Sequence, residues 1–169
     1  MAEPSAIPWN TPEGWQAANA SLVDAVRRNR PALAAARRSA GKIRQLLDLS
    51  FPVMDDLCRQ TCPACTDVCC RRAWVWIDFT DLLFLHLAEI QPPVRQLLRR
   101  RGDHCGYAGP DGCCLQRMQR PFVCTWYLCP DQTRLLTNRP TEKKLLAGAM
   151  EQIKGLRKQM ETAFIQALI

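Results

Sequence analysis

The chain has 169 residues, 47% hydrophobic and 23% charged, with a formal net charge of +7. That length is enough for one domain to bury a core without disulfide staples, and the most apolar run, around Leu82 to Leu87, falls far short of a membrane span. The opening stretch MAEPSAIPWN has no basic n-region followed by an apolar h-region, so a cytoplasmic address is expected.

In chain order, Thr11-Pro12-Glu13 predicts a helix start, with Thr11 as N-cap, Pro12 at the first helical position and Glu13 favourable to the dipole. Trp15, Ala18, Leu22 and Ala25 then form an apolar stripe at helical spacing. Pro31 marks a new start. Leu33, Ala36, Ala40, Ile43 and Leu47 repeat in the same way, and Phe51-Pro52 is expected to close the helix. Ala73 to Ile77 is rich in β-favouring residues and predicts a short strand. Thr80 is expected to cap a helix that buries Leu82, Leu83, Leu87 and Ile90 and ends at Pro92-Pro93. Val94 to Arg101 predicts a short basic helix stopped by Gly102, and His104 to Pro130 predicts irregular loops. Leu146, Ala149, Ile153, Leu156, Met160, Ala163 and Ala167 alternate at spacings of three and four, an amphipathic helix. Its expected partner is the N-terminal helical segment, with a dimer through the terminal helices as the alternative.

All ten cysteines lie in one 72-residue stretch, Cys58 to Cys129. Such density calls for a disulfide framework or a metal site. A reducing compartment and an adequate chain length favour metal. Each four-thiolate zinc or 2+ iron–sulfur centre carries a charge of −2. One site would therefore lower the net charge from +7 to +5, and two to +3. The basicity is accordingly weak evidence for a nucleic-acid partner.

The first knot holds Cys62, Cys65, Cys69 and Cys70, followed by Val75 to Ile77 and by Asp81 with Leu82-Leu83. The second contains Cys105-Gly106-Tyr107-Ala108, Asp111-Gly112-Cys113-Cys114 and Arg120-Pro121-Phe122-Val123-Cys124. This order resembles the YkgJ-like cysteine-cluster family of zinc- or iron-chelating domains. The likeness spans roughly Cys58 to Pro130. It departs from the family by one extra residue before the double cysteine and by Ala108 in place of leucine. The resemblance implies metal binding and makes Cys114 the family counterpart, with Cys113 an extra.

The expected metal ligands are Cys62, Cys65, Cys69, Cys70, Cys105, Cys114, Cys124 and Cys129. Both knots are expected to contribute to a shared centre, with Cys124 as the long-range ligand. Cys58 reads as a buried residue at a helix end, and His86 as a satisfied core histidine. Arg120 is expected to donate to sulfur or to nearby carbonyls. Ligand spacing leaves zinc and a 4Fe–4S cluster both open.

The expected fold is mostly α. N- and C-terminal helices form a scaffold that carries an irregular cysteine-rich metal-binding region with a short strand. It is read as a single domain over 1–169, divided into 1–57, 58–139 and 140–169. Redox or metal handling is the expected role, with a zinc-stabilised module for protein or nucleic acid, or a cluster-dependent modifying enzyme or its accessory subunit, as alternatives. No standard catalytic motif is present. The expected partners are metal ions and a protein partner, with nucleic acid not favoured and no membrane. Trp74, Trp76 and Trp126 read as core residues rather than as stacking platforms.

Overall fold

The computed structural model describes residues 7–100, 102–109 and 112–169, with the backbone alone given at Cys70 and Arg71. Helix α1 (Pro12–Arg28) starts where its cap dictates. The Thr11 hydroxyl accepts from the Gly14 N–H at 3.1 Å, and Pro12 stands in the first turn. The helix buries Trp15 and Leu22, and the Trp15 indole donates to the Pro93 carbonyl at 3.0 Å.

Helix α2 (Ala34–Thr61) buries Ala36, Ala40, Ile43 and Leu47 along the expected stripe. It does not end at Phe51-Pro52, because Pro52 lies inside it. A proline there removes one ladder N–H and costs about 3 kcal/mol. Beyond it, Met54 and Leu57 are buried in one cluster with Leu136 and Leu146. Burying two such side chains contributes about 2 kcal/mol each, enough to carry the helix through. Cys58 is therefore a helical residue, across the boundary drawn from the sequence.

Helix α7 (Pro140–Leu168) buries Leu146, Ala149, Ile153 and Met160 on the expected seam, and Phe164 beside it. Leu156, Ala163 and Ala167 pack half-buried against the same core. Its main partner is α2, so the seam is satisfied within the chain. The two long helices form the scaffold, and the fold is mostly α.

Shorter elements fill the stretch between them: α3 (Cys69–Arg72), α4 (Phe79–Leu87), strands β1 (Ala108–Gly109) and β2 (Gly112–Cys113), a 3-10 turn at Arg117–Gln119, α5 (Phe122–Trp126) and α6 (Pro130–Thr137). The strands pair antiparallel, Ala108 opposite Cys113 and Gly109 opposite Gly112. No helix among the described residues is long and apolar enough to cross a membrane.

Three local expectations are corrected. Ala73 to Ile77 has no strand partner among the described residues, and the small sheet lies elsewhere. A side chain substitutes for the missing strand. Gln96 Oε1 accepts from the Ile77 N–H at 2.8 Å, while its Nε2 donates to the Ile77 carbonyl at 3.0 Å.

The cap of α4 is Asp78 rather than Thr80. Asp78 Oδ1 accepts from the Asp81 N–H at 2.7 Å, and Asp81 Oδ2 accepts from the Asp78 N–H at 3.3 Å. Thr80 instead donates to Glu161 of α7 at 2.8 Å. The helix ends at Leu87, ahead of Pro92-Pro93, and Glu89 follows in the left-handed region at φ 57°.

Residues Val94 to Arg100 do not form the expected basic helix, and Arg101 lies outside the described residues. Side chains, one of them from twelve residues away, take the backbone groups a helix would use. Tyr107 Oη accepts from the Arg95 N–H and donates to the Arg95 carbonyl, both at 3.1 Å. Gln96 Oε1 takes the Leu97 N–H at 2.9 Å.

Candidate metal centre

The structure separates the cysteines into two groups, each on a different support. The first gathers at the C-terminal end of α2. Cys58 and Cys62 stand one turn apart, with the Cys62 N–H bonded to the Cys58 carbonyl at 2.8 Å. A turn follows, in which the Cys65 N–H meets the Cys62 carbonyl at 3.1 Å, and Cys69 opens α3. Cys62, Cys65 and Cys69 are exposed and Cys58 is half-buried. Burial pushes the Cys62 thiol up, and so does the nearness of Cys58 and Cys69. The Cys70 side chain lies outside the described residues.

The second group surrounds the hairpin. The Ala108 N–H bonds the Cys105 carbonyl at 3.0 Å, Ala108 faces Cys113 across the strands, and the Cys114 N–H bonds the Tyr107 carbonyl at 2.8 Å. This folds Cys105, Cys113 and Cys114 around one turn. A Cβ on Gly109 would lie 2.8 Å from the Cys114 sulfur, so glycine is needed there for the sulfur to sit over the backbone. Gly112, at φ 113°, holds a left-handed backbone that glycine allows at the start of β2.

Cys124 arrives from α5. Arg120 directs that approach, donating through Nε and Nη2 to the Leu115 carbonyl at 3.1 and 2.9 Å and to the Cys113 carbonyl at 3.5 Å. Of the two roles the sequence offered Arg120, the structure shows carbonyl binding.

Asp81 secures the other side of α5. This buried carboxylate accepts from the Phe122 N–H at 3.0 Å and from Arg157 of α7 at 2.6 Å. Burial raises its carboxyl to about 6, against the pull of Arg157. Arg157 also lies over the Phe122 ring, 4.9 Å from its centroid. Three helices thus converge on the residue two places before Cys124.

The electrostatics of the second group follow from its crowding. Burial pushes the Cys124 thiol up to about 12, with Cys113 and Cys105 adding to the rise and Arg120 opposing it. Cys105 moves up as well, first through burial, and Cys113 and Cys114 act in the same direction. Thiols packed in this way resist becoming thiolates one after another, because each negative sulfur repels the next. A cation among them removes that repulsion. No disulfide joins any two of the described cysteines.

Among the described residues, no three His, Cys, Asp or Glu side chains converge closely enough to enclose a metal ion. The donors nonetheless suit a soft metal: thiols from two knots, one set folded over a glycine that leaves room for sulfur.

Cys129 belongs with the first group, although its sequence places it in the second knot. It precedes α6, and its N–H donates to Gln132 Oε1 at 3.2 Å. The Gln132 amide in turn donates to Thr61 Oγ1 and to the Cys58 sulfur, both at 3.4 Å. Cys129 thus provides one contact between the knots, through Gln132.

Sequence reasoning missed Arg117 and Gln132 beside the sulfurs. Gln132 carried a signal, since it stands three residues after Cys129 and just past a proline, the spacing of a capping pair. Arg117 carried none. Arg117 also pairs with Asp55, while Arg72 pairs with Asp67 and Arg100 with Asp103 at 3.1 Å. Trp74 and Trp126 are exposed, where core positions were expected. His86 meets the expectation, with Nε2 2.9 Å from Asn19 Oδ1.

Comparison with known protein families, curated proteins and solved structures returns no match. The resemblance to the YkgJ-like family rests on the motif residues alone.

Proposed function

We propose that this chain is a thiolate metal-binding protein serving redox or metal handling, with its cysteines divided between two centres. The observation that carries the reading is the folding of Cys105, Cys113 and Cys114 around one hairpin, with Cys113 and Cys105 near enough to Cys124 of α5 to raise its thiol. Zinc or an iron–sulfur cluster requires four soft donors, and this hairpin and α5 carry four thiols that side-chain rotation would gather on one metal. Arg120 and Asp81 would act as supports that fix the loop and the helix bearing the sulfurs. Cys62, Cys65, Cys69, Cys70 and Cys129 supply the donors of the other centre. The YkgJ-like motif order supports the same reading.

Anaerobic purification of the full chain tests it. Brown protein with iron and acid-labile sulfide assigns clusters, and colourless protein with stoichiometric zinc assigns zinc. Cys124→Ser should lose metal from the hairpin centre. Protein that takes up neither metal at stoichiometric levels refutes the proposal.

A further inference from the structure

Cys58 has elaborate surroundings. Two N–H donors reach its sulfur, Arg117 Nη2 at 3.1 Å and Gln132 Nε2 at 3.4 Å. Both come from distant segments, and both are withdrawn from solvent: the Arg117 side chain is 10% exposed and Gln132 6%. Burying a guanidinium and an amide costs free energy unless each finds a partner. A neutral thiol is a weak acceptor and a poor partner for either. A thiolate is a good one, and charge-assisted N–H···S bonds are characteristic of sulfur that also binds a metal.

Neighbouring groups point the same way. Arg117 also pairs with Asp55, so its charge is shared and does not neutralise a thiolate alone. Cys62 lies one turn further along the same face of α2, with Cys69 near enough to influence it. Gln132 is already committed to Thr61 and to the Cys129 backbone, which fixes the amide that points at Cys58.

We propose that Cys58 is a metal-ligating thiolate, sharing one soft cation with Cys62 and Cys69, while Arg117 and Gln132 hold its sulfur through N–H···S bonds. This rests on the metal-binding reading above and adds a ligand that the cysteine spacing did not select. Rotation of the exposed Cys62 and Cys69 side chains toward Cys58 completes the set. Binding exchanges the thiol protons of Cys58, Cys62 and Cys69 for the metal, and those protons leave to solvent.

Anaerobic cobalt(II) titration of the full chain provides the test, because sulfur-to-cobalt charge-transfer absorbance reports Co–S bonds. Cys58→Ser should reduce that absorbance and the cobalt bound by the first group, leaving the hairpin group filled. Arg117→Met keeps every sulfur and should weaken cobalt at the first group by about tenfold. Cys58→Ser with unaltered stoichiometry and absorbance overturns the proposal. A second measurement is independent of variant folding: in the unmodified protein, cobalt should slow alkylation of Cys58, read by peptide mass, at least as much as that of Cys62. Equal alkylation of Cys58 with and without cobalt also overturns it. An unmodified chain that binds no cobalt, zinc or iron refutes both this proposal and the reading beneath it. Cobalt binding at the first group that is unchanged by Cys58→Ser refutes only this one.

Discussion

The α2–α7 scaffold and the cysteine-bearing stretch between those helices are ordered by different forces. The scaffold is apolar and repetitive: Ile43 and Leu47 of α2 share one buried core with Ile153 and Met160 of α7. Area removed from water stabilises it, without depending on any single polar contact. The cysteine stretch depends on individual side chains that act as fasteners. Gln96 holds Ile77, Arg120 holds Leu115, Asp81 holds Phe122, and Gln132 ties Cys129 to Cys58. Hydrophobic packing sets where this stretch begins and ends, while polar geometry and, on the proposed reading, metal set its interior.

Metal withdrawal separates the two regions most strongly, since structural metal contributes on the order of 10 kcal/mol to the folding of small sites. Chelation is expected to expose the stretch from Gly102 to Pro130 to protease while α2 and α7 persist. Limited proteolysis followed by circular dichroism checks this, and equal resistance with and without metal would erase the distinction.

The next effect falls on the scaffold. Ile153 is fully buried, and Ile153→Ala should destabilise the protein by about 4 kcal/mol, measured by urea unfolding of the metal-loaded chain. Metal content per folded molecule should not change.

Arg157→Met probes a joint between the regions and should cost about 3 kcal/mol at neutral pH, because it strips a buried carboxylate of its cation. Its pH dependence is specific. Burial raises Asp81 in the folded protein from 3.8 to about 6, so the stability it contributes is complete below 3.8 and lost as pH rises through 6. Removing Arg157 moves that carboxyl higher still. The deficit of the variant should therefore be smaller at pH 5 than at pH 7.5. A deficit independent of pH would show that packing over Phe122, rather than charge, accounts for the role of Arg157.

The smallest change in stability, about 1 kcal/mol, is expected for Gly109→Ala, whose new methyl group displaces the Cys114 sulfur. Metal should fall at the hairpin centre and remain at the centre beside α2, as read by metal analysis combined with alkylation of Cys114.

The division between the two regions also explains what the sequence disclosed. Stripes such as Leu33–Ala36–Ala40–Ile43–Leu47 are local consequences of helical periodicity, and all five residues are buried. Pro52 misled because the residues that carry α2 past it pack against Leu136 and Leu146, far along the chain. Ala73 to Ile77 has the composition of a strand, but its partner is one glutamine amide, which no pairing pattern reveals. The grouping of the thiols was hidden for the same reason. Cys129 joins the α2 side through Gln132, and Arg117 reaches Cys58 across 59 positions of sequence.

Arg139 joins the two ends of the cysteine stretch. Immediately before α7, it donates to Asp56 at 2.7 Å and to Gln60 at 3.3 Å, both in the last part of α2. All ten cysteines lie in the loop closed by the contact between Asp56 and Arg139. Closing a loop of that length costs about 4 kcal/mol of chain entropy. The paired helices meet that cost once, when the scaffold folds, rather than each time a metal binds. They hold the tethered sulfurs at a high effective concentration, so on the proposed reading the metal affinity of the cysteines would depend in part on a helix interface that contains none of them.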